Sequence, residues 1–383
     1  MFSTVLRAYD NSAPKTADGM KTEVAIKMIR SNETMYKAGQ LELQILNKLC
    51  GRSKNLNFIR NSNGVNAETT AAASITEKSG KKNVVQLLRH FEYRGHLCLV
   101  FEALALNLRE VIKKFGRNIG LNIRAVRSYT YQMLVALRHL RNNGVLHADI
   151  KPDNMLISSS RATCKLCDFG SAMFAGENDI TPYLVSRFYR SPEIILGLPY
   201  DHALDMWSVG ATVYELFTGS IAFAGRSNNE MLKLMMEMKG AFPKRMLKKG
   251  LFAEKHFDLQ SGSGAEVRFR LVEKDPVSGQ DACRLIHARQ TKDIVQIINQ
   301  AHTSTLSSYN PDDRLQMRQM ADDRKRVQQL GDLLEKMFIL DPEKRITVQQ
   351  ALTHPFFKEL PASKDKDRMN AAGGNPQETR ASR

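Results

Sequence analysis

The sequence predicts an α+β fold in two lobes: a small strand-rich lobe over residues 1–103 and a larger helical lobe over residues 104–357, followed by a disordered polar tail over 358–383. Three observations predict it. Residues 1–30 alternate apolar and polar side chains around a turn-like "DNSAPKTADG", and "NVVQLLRHFEYRGHLCLVFE" holds two strand-like runs split by Arg94-Gly95. After residue 107 the apolar residues take helical spacing, as Ile123, Val126, Met133, Leu137 and Leu140 do before Gly144 closes their stretch. "DMWSVGATVYELFTG" is apolar almost all round, which is the signature of a helix at the centre of a lobe.

The first lobe opens with a hairpin whose second strand, "EVAIKMI", is rich in β-branched residues. "MYKAGQLELQILNKL", residues 35–49, follows as a helix with Leu41, Ile45 and Leu49 on one face. Residues 50–82 are poor in large apolar side chains and rich in Asn, Ser, Ala, Thr and Gly. Such a segment buries too little surface to offset its ordering entropy, so it reads as a flexible insertion rather than a domain. In the second lobe, residues 259–325 are polar and read as irregular apart from a helix-like "KDIVQIINQ".

With 383 residues, 42% of them hydrophobic, the chain can bury a sizeable core. No apolar run approaches the roughly 18 residues of a membrane helix, and the N-terminus lacks a signal-peptide pattern. A soluble intracellular protein without membrane association is expected. The five cysteines are odd in number and unevenly spaced, unlike a secreted disulfide framework. Cys164 and Cys167 form a C-x-x-C, but "ATCKLCDFG" reads as a strand entering a turn, where residues three apart face opposite sides. Structural cysteines are expected there.

The net charge of +16 suits an acidic partner, phosphate or nucleic acid. "KGAFPKRMLKK", residues 239–249, concentrates five positive charges without an acid. It is either a solvated surface or a docking patch for acidic or phosphorylated protein, or for RNA. Charge alone does not separate these.

A group of positions carries chemistry. Moving phosphate from a nucleotide requires a way to hold its oxygens, metal ligands, and a carboxylate aimed at the incoming hydroxyl. Lys27 in the strand "EVAIKMI" can hold phosphate, and Glu42 on the following helix can orient it. In "VLHADIKPDNMLI", Asp149 can take or orient a hydroxyl proton, Lys151 can reach a phosphate, and Asn154 can offer a neutral oxygen to Mg²⁺. "DFG" follows, with Asp168 as a second oxygen ligand, and the two make part of the hard shell Mg²⁺ prefers. Each motif alone is weak. "VAIK", "HADIKPDN", "DFG" and "SPE" in this order and at these distances are together specific.

From residue 1 to about 357 the chain thus resembles a eukaryotic protein kinase. The resemblance implies a bilobal kinase fold, with ATP and Mg²⁺ as cofactors. It places Val5, Ala25, Lys27, Glu42 and Asp168 at the nucleotide, with Asn154 and Asp168 as metal ligands. Phe101 resembles the gatekeeper, and Glu102 and Leu104 would offer backbone hydrogen bonds to adenine. Glu193 and Arg345 resemble the family's buried ion pair, Asp205 the residue that braces the catalytic loop, and Lys151 the mark of serine/threonine kinases.

"SRFYRSPE" is similar to the CMGC group, whose insertion in the helical lobe would be residues 240–325. Two stretches, "NDITPYLVSRFYRSPEIILG" and "NNEMLKLMMEMKGAFPKRMLKKGLFAEKHFD", resemble the pre-mRNA-processing factor four splicing kinases, relatives of the dual-specificity tyrosine-regulated kinases. That subfamily also carries Ala where Ala148 replaces the Arg of His-Arg-Asp. The lost Arg belongs to regulation and not to phosphoryl transfer. Tyr183, four and seven residues before Arg187 and Arg190, is expected to be autophosphorylated and to pair with those guanidiniums.

One departure concerns the phosphate-covering loop. "MFSTVLRA" resembles only its second half, so the first two glycines and the first strand would precede Met1. The expectation is a truncated piece of a longer enzyme. The reading is therefore a serine/threonine kinase that acts on protein substrates, spliceosomal or Arg/Ser-rich, as a nuclear and also cytoplasmic monomer. A pseudokinase scaffold binding spliceosomal partners is the alternative. No RNA-binding module or aromatic-interleaved motif is present, so direct RNA binding is not expected.

Overall fold

The computed structural model describes residues 3–14, 19–51, 80–116, 118–177, 179–259, 267–274, 280–306 and 312–358. The expected insertion over 50–82 and tail over 358–383 lie almost wholly outside these. Strands β1 (Ser3–Asp10), β2 (Thr22–Ile29), β3 (Leu87–Tyr93) and β4 (His96–Glu102) form one antiparallel sheet in the order β1-β2-β4-β3. Arg94 and Gly95 both have positive φ, 50° and 75°, and turn β3 tightly into β4. Helix α1 (Glu33–Leu49) begins where the Asn32 side chain accepts the Met35 amide, and it packs on this sheet.

The buried face of α1 is Gly39, Glu42, Leu43, Ile45, Leu46 and Leu49, whereas Leu41 is 38% exposed. The expected Leu41–Ile45–Leu49 face is corrected accordingly. Four residues overshoot one turn by about 40°, so Leu41 drifts about 80° from Leu49 and leaves the core. The face that does pack includes a carboxylate, Glu42.

The helical lobe starts with β5 (Leu106–Asn107), α2 (Leu108–Phe115) and α3 (Ile123–Asn142), and Gly144 at φ 64° ends the last, as the sequence predicts. Short strands β6 (Val145–Leu146), β7 (Met155–Ile157), β8 (Cys164–Leu166) and β9 (Met173–Phe174) hold the loops between them; β5-β7-β8 and β6-β9 pair antiparallel. Then come α4 (Pro192–Leu196) and α5 (Ala203–Thr218). In α5 every residue from Leu204 to Phe217 is buried, so the expected central helix is found. Its Trp207 stacks on Phe223 at 5.3 Å and meets Phe338 edge-on at 5.1 Å. Truncating such an aromatic to Ala costs about 3–5 kcal/mol.

Glu193 of α4 and Arg345, both fully buried, bond at 2.6 and 2.8 Å, and the Arg345 guanidinium lies 5.1 Å from the Trp207 ring. The pair ties the end of one segment to the far end of the lobe.

The rest of the lobe is α6 (Asn228–Lys239), α7 (Lys244–Lys249), β10 (Phe257–Asp258), β11 (Arg268–Lys274), β12 (Asp281–Ile286), α8 (Ile294–Leu306), α9 (Arg314–Met337) and α10 (Val348–Leu352). The reading of 259–325 as irregular is thus corrected: β10, β11 and β12 form a sheet, and residue 325 falls inside α9. Only Phe269 and Leu271 of β11 are buried, so the alternation is too short to stand out from its polar setting. No helix among the described residues is long and apolar enough to cross a membrane.

Candidate active site

The sheet of the small lobe sets the roof. Val5 lies directly across from Lys27, and Ala25 across from both Arg7 and Phe101. Cross-strand partners share a face and alternate residues return to it, so Val5, Ala25 and Lys27 project to one side. Lys27 Nζ is 2.7 and 2.9 Å from the two oxygens of Glu42 and 2.8 Å from Oδ1 of Asp168. One ammonium therefore joins strand, helix and the loop of the other lobe.

The electrostatics follow from burial. Burial pulls the Lys27 pKa down, but the two carboxylates outweigh it and the net shift is upward. Burial raises the pKa of Glu42 despite Lys27. Burial also acts to raise Asp168, yet the Lys27 charge and hydrogen bond prevail and hold it below its ordinary value. Asp168 has φ 60° and keeps 49% of its side chain exposed, leaving oxygen surface toward the cleft.

Phe101 is buried at the end of β4. The Glu102 carboxylate accepts from Lys165 at 2.6 and 2.8 Å and from the Gln86 amide at 2.8 Å, and its own amide donates to Gln86 O at 3.2 Å. The side chain is thereby held in the framework. Leu104 is half-buried and packs against the core.

The loop after β6 is braced from beneath. Asp205, buried at the start of α5, accepts the His147 amide at 2.8 Å and the Ala148 amide at 2.9 Å. Burial raises its pKa, while His147 and these two amides favour the charged form. Ala148 is fully buried with φ 59°, a left-handed backbone that the two bonds to Asp205 hold in place. The His147 ring meets Phe169 edge-on at 4.9 Å, and its Nε2 lies 3.0 Å from Cys167 O. The HAD and DFG segments are thereby locked together.

Asp149 is the convergence point. Lys151 Nζ donates to its Oδ2 at 2.7 Å, and the Asn154 amide donates to its carbonyl at 2.9 Å and to Oδ2 at 3.1 Å. With its NH₂ so engaged, Asn154 has its amide oxygen as the group left for a ligand. Asn154 and Asp168 offer two hard oxygens, which fits Mg²⁺ bound through few side chains and shared phosphate oxygens. Among the described residues no group of three or more His, Cys, Asp or Glu converges as a metal site.

Sequence reasoning missed Ser186. Its hydroxyl donates to Asp149 Oδ1 at 2.6 Å and accepts from Lys151 at 2.9 Å, and its amide reaches the same Oδ1 at 3.2 Å. It lies within the quoted "SRFYRSPE", but nothing in spacing alone says that this segment returns to Asp149.

The three predicted regulatory residues lie near one another but do not converge on one point. Tyr183 is 76% exposed, and the Arg190 guanidinium sits 5.9 Å from its ring centroid. Arg190 is nearly buried and donates to Leu184 O at 2.8 Å, Val185 O at 2.9 Å, Tyr183 O at 3.2 Å and Asn228 Oδ1 at 2.6 Å. Burial, with Arg187 adding repulsion, pushes its pKa down to about 10. Arg187 donates to Arg226 O at 2.6 Å instead. Val185 takes φ 68°, which turns its carbonyl onto Arg190.

Comparison with known proteins gives the family. A protein kinase domain matches residues 15–357. The chain is 45% identical over 358 residues to the serine/threonine-protein kinase prp4 of Schizosaccharomyces pombe, covering 93% of this chain and 64% of the relative. It is 41% identical over 360 residues to the serine/threonine-protein kinase prpf4B of Dictyostelium discoideum, covering 94% of this chain and 38% of that one. A homeodomain-interacting protein kinase 2 from Mesocricetus auratus is 32% identical, over 88% of this chain and 26% of its own. The chain thus spans less than two thirds of the length of each of these relatives.

Proposed function

The chain belongs to the protein kinase family, and on that premise we propose that it transfers the γ-phosphoryl group of ATP to serine or threonine hydroxyls of protein substrates. The observation that carries this is the convergence of Lys151, Asn154 and Ser186 on Asp149, together with the Lys27–Glu42–Asp168 bridge. Asp149 receives or orients the substrate hydroxyl proton as its oxygen bonds to phosphorus and the bond to the β-phosphate oxygen breaks, releasing ADP. Lys27 holds phosphate oxygens in a position that Glu42 fixes, and Lys151 neutralises charge on the transferring group. Asp168 and Asn154 would hold Mg²⁺, which when bound would neutralise charge on the phosphate oxygens.

The substrates we infer are splicing-related, including Arg/Ser-rich proteins, and the site of action is nuclear. Support comes from the resemblance in "NDITPYLVSRFYRSPEIILG" and from the prp4 and prpf4B kinases among its relatives. Tyr183 is the proposed autophosphorylation site, supported by its exposure and the Arg190 charge beneath it. The scaffold alternative has no specific observation in its favour.

Incubation with Mg-ATP labelled at the γ-position and a basic serine-containing protein tests the reading, with Asp149→Ala as control. Labelling by the parent chain that the control lacks is expected. Equal labelling by both would sink the assignment of Asp149.

A further inference from the structure

Beside the acceptor position lies a cluster that the proposed chemistry does not use. Arg109, the second residue of α2, donates through Nη1 and Nη2 to the Glu215 carboxylate, through Nη2 to Tyr189 Oη at 2.5 Å, and through Nε to Asp153 Oδ2 at 3.3 Å. The Tyr189 hydroxyl donates in turn to Glu215 Oε2 at 2.6 Å. Glu215 is 2% exposed, whereas the Arg109 and Asp153 side chains are 21% and 44% exposed. The guanidinium fork therefore covers a buried carboxylate, while the fork itself and the Asp153 carboxylate at its rim reach solvent.

Its location is set by chain connectivity. Asp153 stands four residues after Asp149 in the same loop, next to Asn154. Tyr189 stands three residues after Ser186, whose hydroxyl bonds Asp149. The cluster is thus built partly on the two segments that also carry Asp149 and Ser186, which border the place where a peptide would present its hydroxyl. A buried carboxylate, a phenol and an exposed carboxylate around a planar fork are also what would recognise an arginine brought by a substrate.

We propose that Arg109 fills, from within the chain, a subsite that would otherwise hold a substrate arginine, so that substrates are not selected by arginine at that position. This rests on the kinase reading given above. A substrate guanidinium gains nothing there while the internal one satisfies Glu215. Removing Arg109 leaves Glu215 buried and unpaired, and a peptide arginine then relieves that cost.

The test uses serine peptides that differ only by Arg or Ala at each of four positions on either side of the acceptor, assayed with the full chain and Mg-ATP. In Arg109→Ala, the Arg-to-Ala ratio of kcat/KM at one or two positions is expected to rise about 10- to 100-fold over the parent ratio, mostly through KM, as hydrogen bonds to charged groups allow. Arg109→Lys should keep the parent ratio, and adding Glu215→Gln to Arg109→Ala should cancel the gain. A purely structural ion pair would instead change all peptides equally or not at all, which overturns the proposal.

Thermal unfolding is followed in parallel. If Arg109→Ala does not fold, Arg109→Gln and added ethylguanidinium are used, and arginine peptides should then compete with the ethylguanidinium. Failure of both variants to fold without rescue by ethylguanidinium also overturns it, because a site closed to a free guanidinium is closed to a substrate's. Absence of labelling by the parent chain on every peptide would count against the kinase reading instead.

Discussion

The hydroxyl of Ser186 donates to Asp149 across 37 residues of sequence, at 2.6 Å. It also accepts from Lys151, so the segment that follows Tyr183 ends on the catalytic loop and fixes the carboxylate from the side opposite Asn154. Ser186→Ala is expected to lower kcat about 10- to 100-fold, the worth of a hydrogen bond to a charged group, and Ser186→Thr to retain most of it. Steady-state kinetics with a serine peptide measures this. Parent-like kcat in the alanine variant would show that Lys151 and Asn154 alone position Asp149.

The ammonium of Lys27 joins three elements, so Lys27→Met separates catalysis from folding. Without the cation, burial favours the protonated form of Glu42, and that neutral acid can stay inside next to a thioether of similar length. Labelling should fall at least about 100-fold, as when one preorganised donor is lost, with the protein still folded. Labelling and thermal unfolding on the same sample check both halves.

Tyr183 is exposed above a guanidinium that is already bonded to three carbonyls along the segment and to the Asn228 side chain of α6. A phosphate there would add charge-assisted bonds to a framework that needs no arginine at position 148. Phosphate-free Tyr183→Phe should be less active than phosphorylated parent and cleaved faster by protease in this segment. Mass spectrometry should find the phosphate on Tyr183 after incubation with Mg-ATP alone; equal activity and protection in both proteins would exclude a role for it.

The Val185 carbonyl, turned onto Arg190, precedes Ser186 and so borders the acceptor serine. A substrate residue just after that serine would find no acceptor there for its amide, a loss of about 1–3 kcal/mol when buried. Proline has no amide to lose. Peptides with Pro after the acceptor should be preferred over Ala by about 10-fold, and Arg190→Ala should narrow the gap by freeing the carbonyl.

His256 supplies a pH dependence of stability. Asn229 Oδ1 accepts the Val272 amide at 3.0 Å and its Nδ2 donates to Arg270 O at 2.8 Å, which orients Nδ2 toward His256 Nδ1 at 3.2 Å. That nitrogen must be unprotonated to accept. Burial, then Lys255, lowers the pKa from 6.5 to about 4. The unfolded chain therefore binds more protons across this interval, and the contribution is present above pH 6.5 and lost as pH falls toward 4, in all about 3 kcal/mol. Burial also lowers His202, His302 and His354, so the parent curve alone is ambiguous. His256→Gln should lose less stability between pH 7 and 4 than the parent does.

Local chemistry explains what was legible in the sequence. Lys27, Asp149, Asn154 and Asp168 lie within short motifs whose internal spacing is itself the geometry, and the hairpin at Arg94-Gly95 and the buried helix α5 announce themselves through turn residues and continuous apolarity. Ser186 and the Arg109–Glu215 pair depend on segments returning over 37 and 106 residues, and no local pattern encodes a return. The sheet of β10, β11 and β12 escaped because β12 is almost entirely exposed and alternates nothing. Leu41 misled because a four-residue spacing was read as a straight line along a helix that turns.

The Glu193–Arg345 pair imposes an order on biosynthesis. The two residues are 152 positions apart, and each is fully enclosed by the folded lobe. At about 5–20 residues per second, a ribosome that has made Glu193 needs about 8 to 30 s more to reach Arg345. Throughout that interval the nascent chain already contains Lys27, Asp149, Asp168 and Ser186, while the segment bearing Ser186 lacks its distant anchor. A premature stop codon just before Arg345 would therefore spare every residue assigned to the chemistry and still yield an inert polypeptide, with a carboxylate seeking a counter-ion that was never translated.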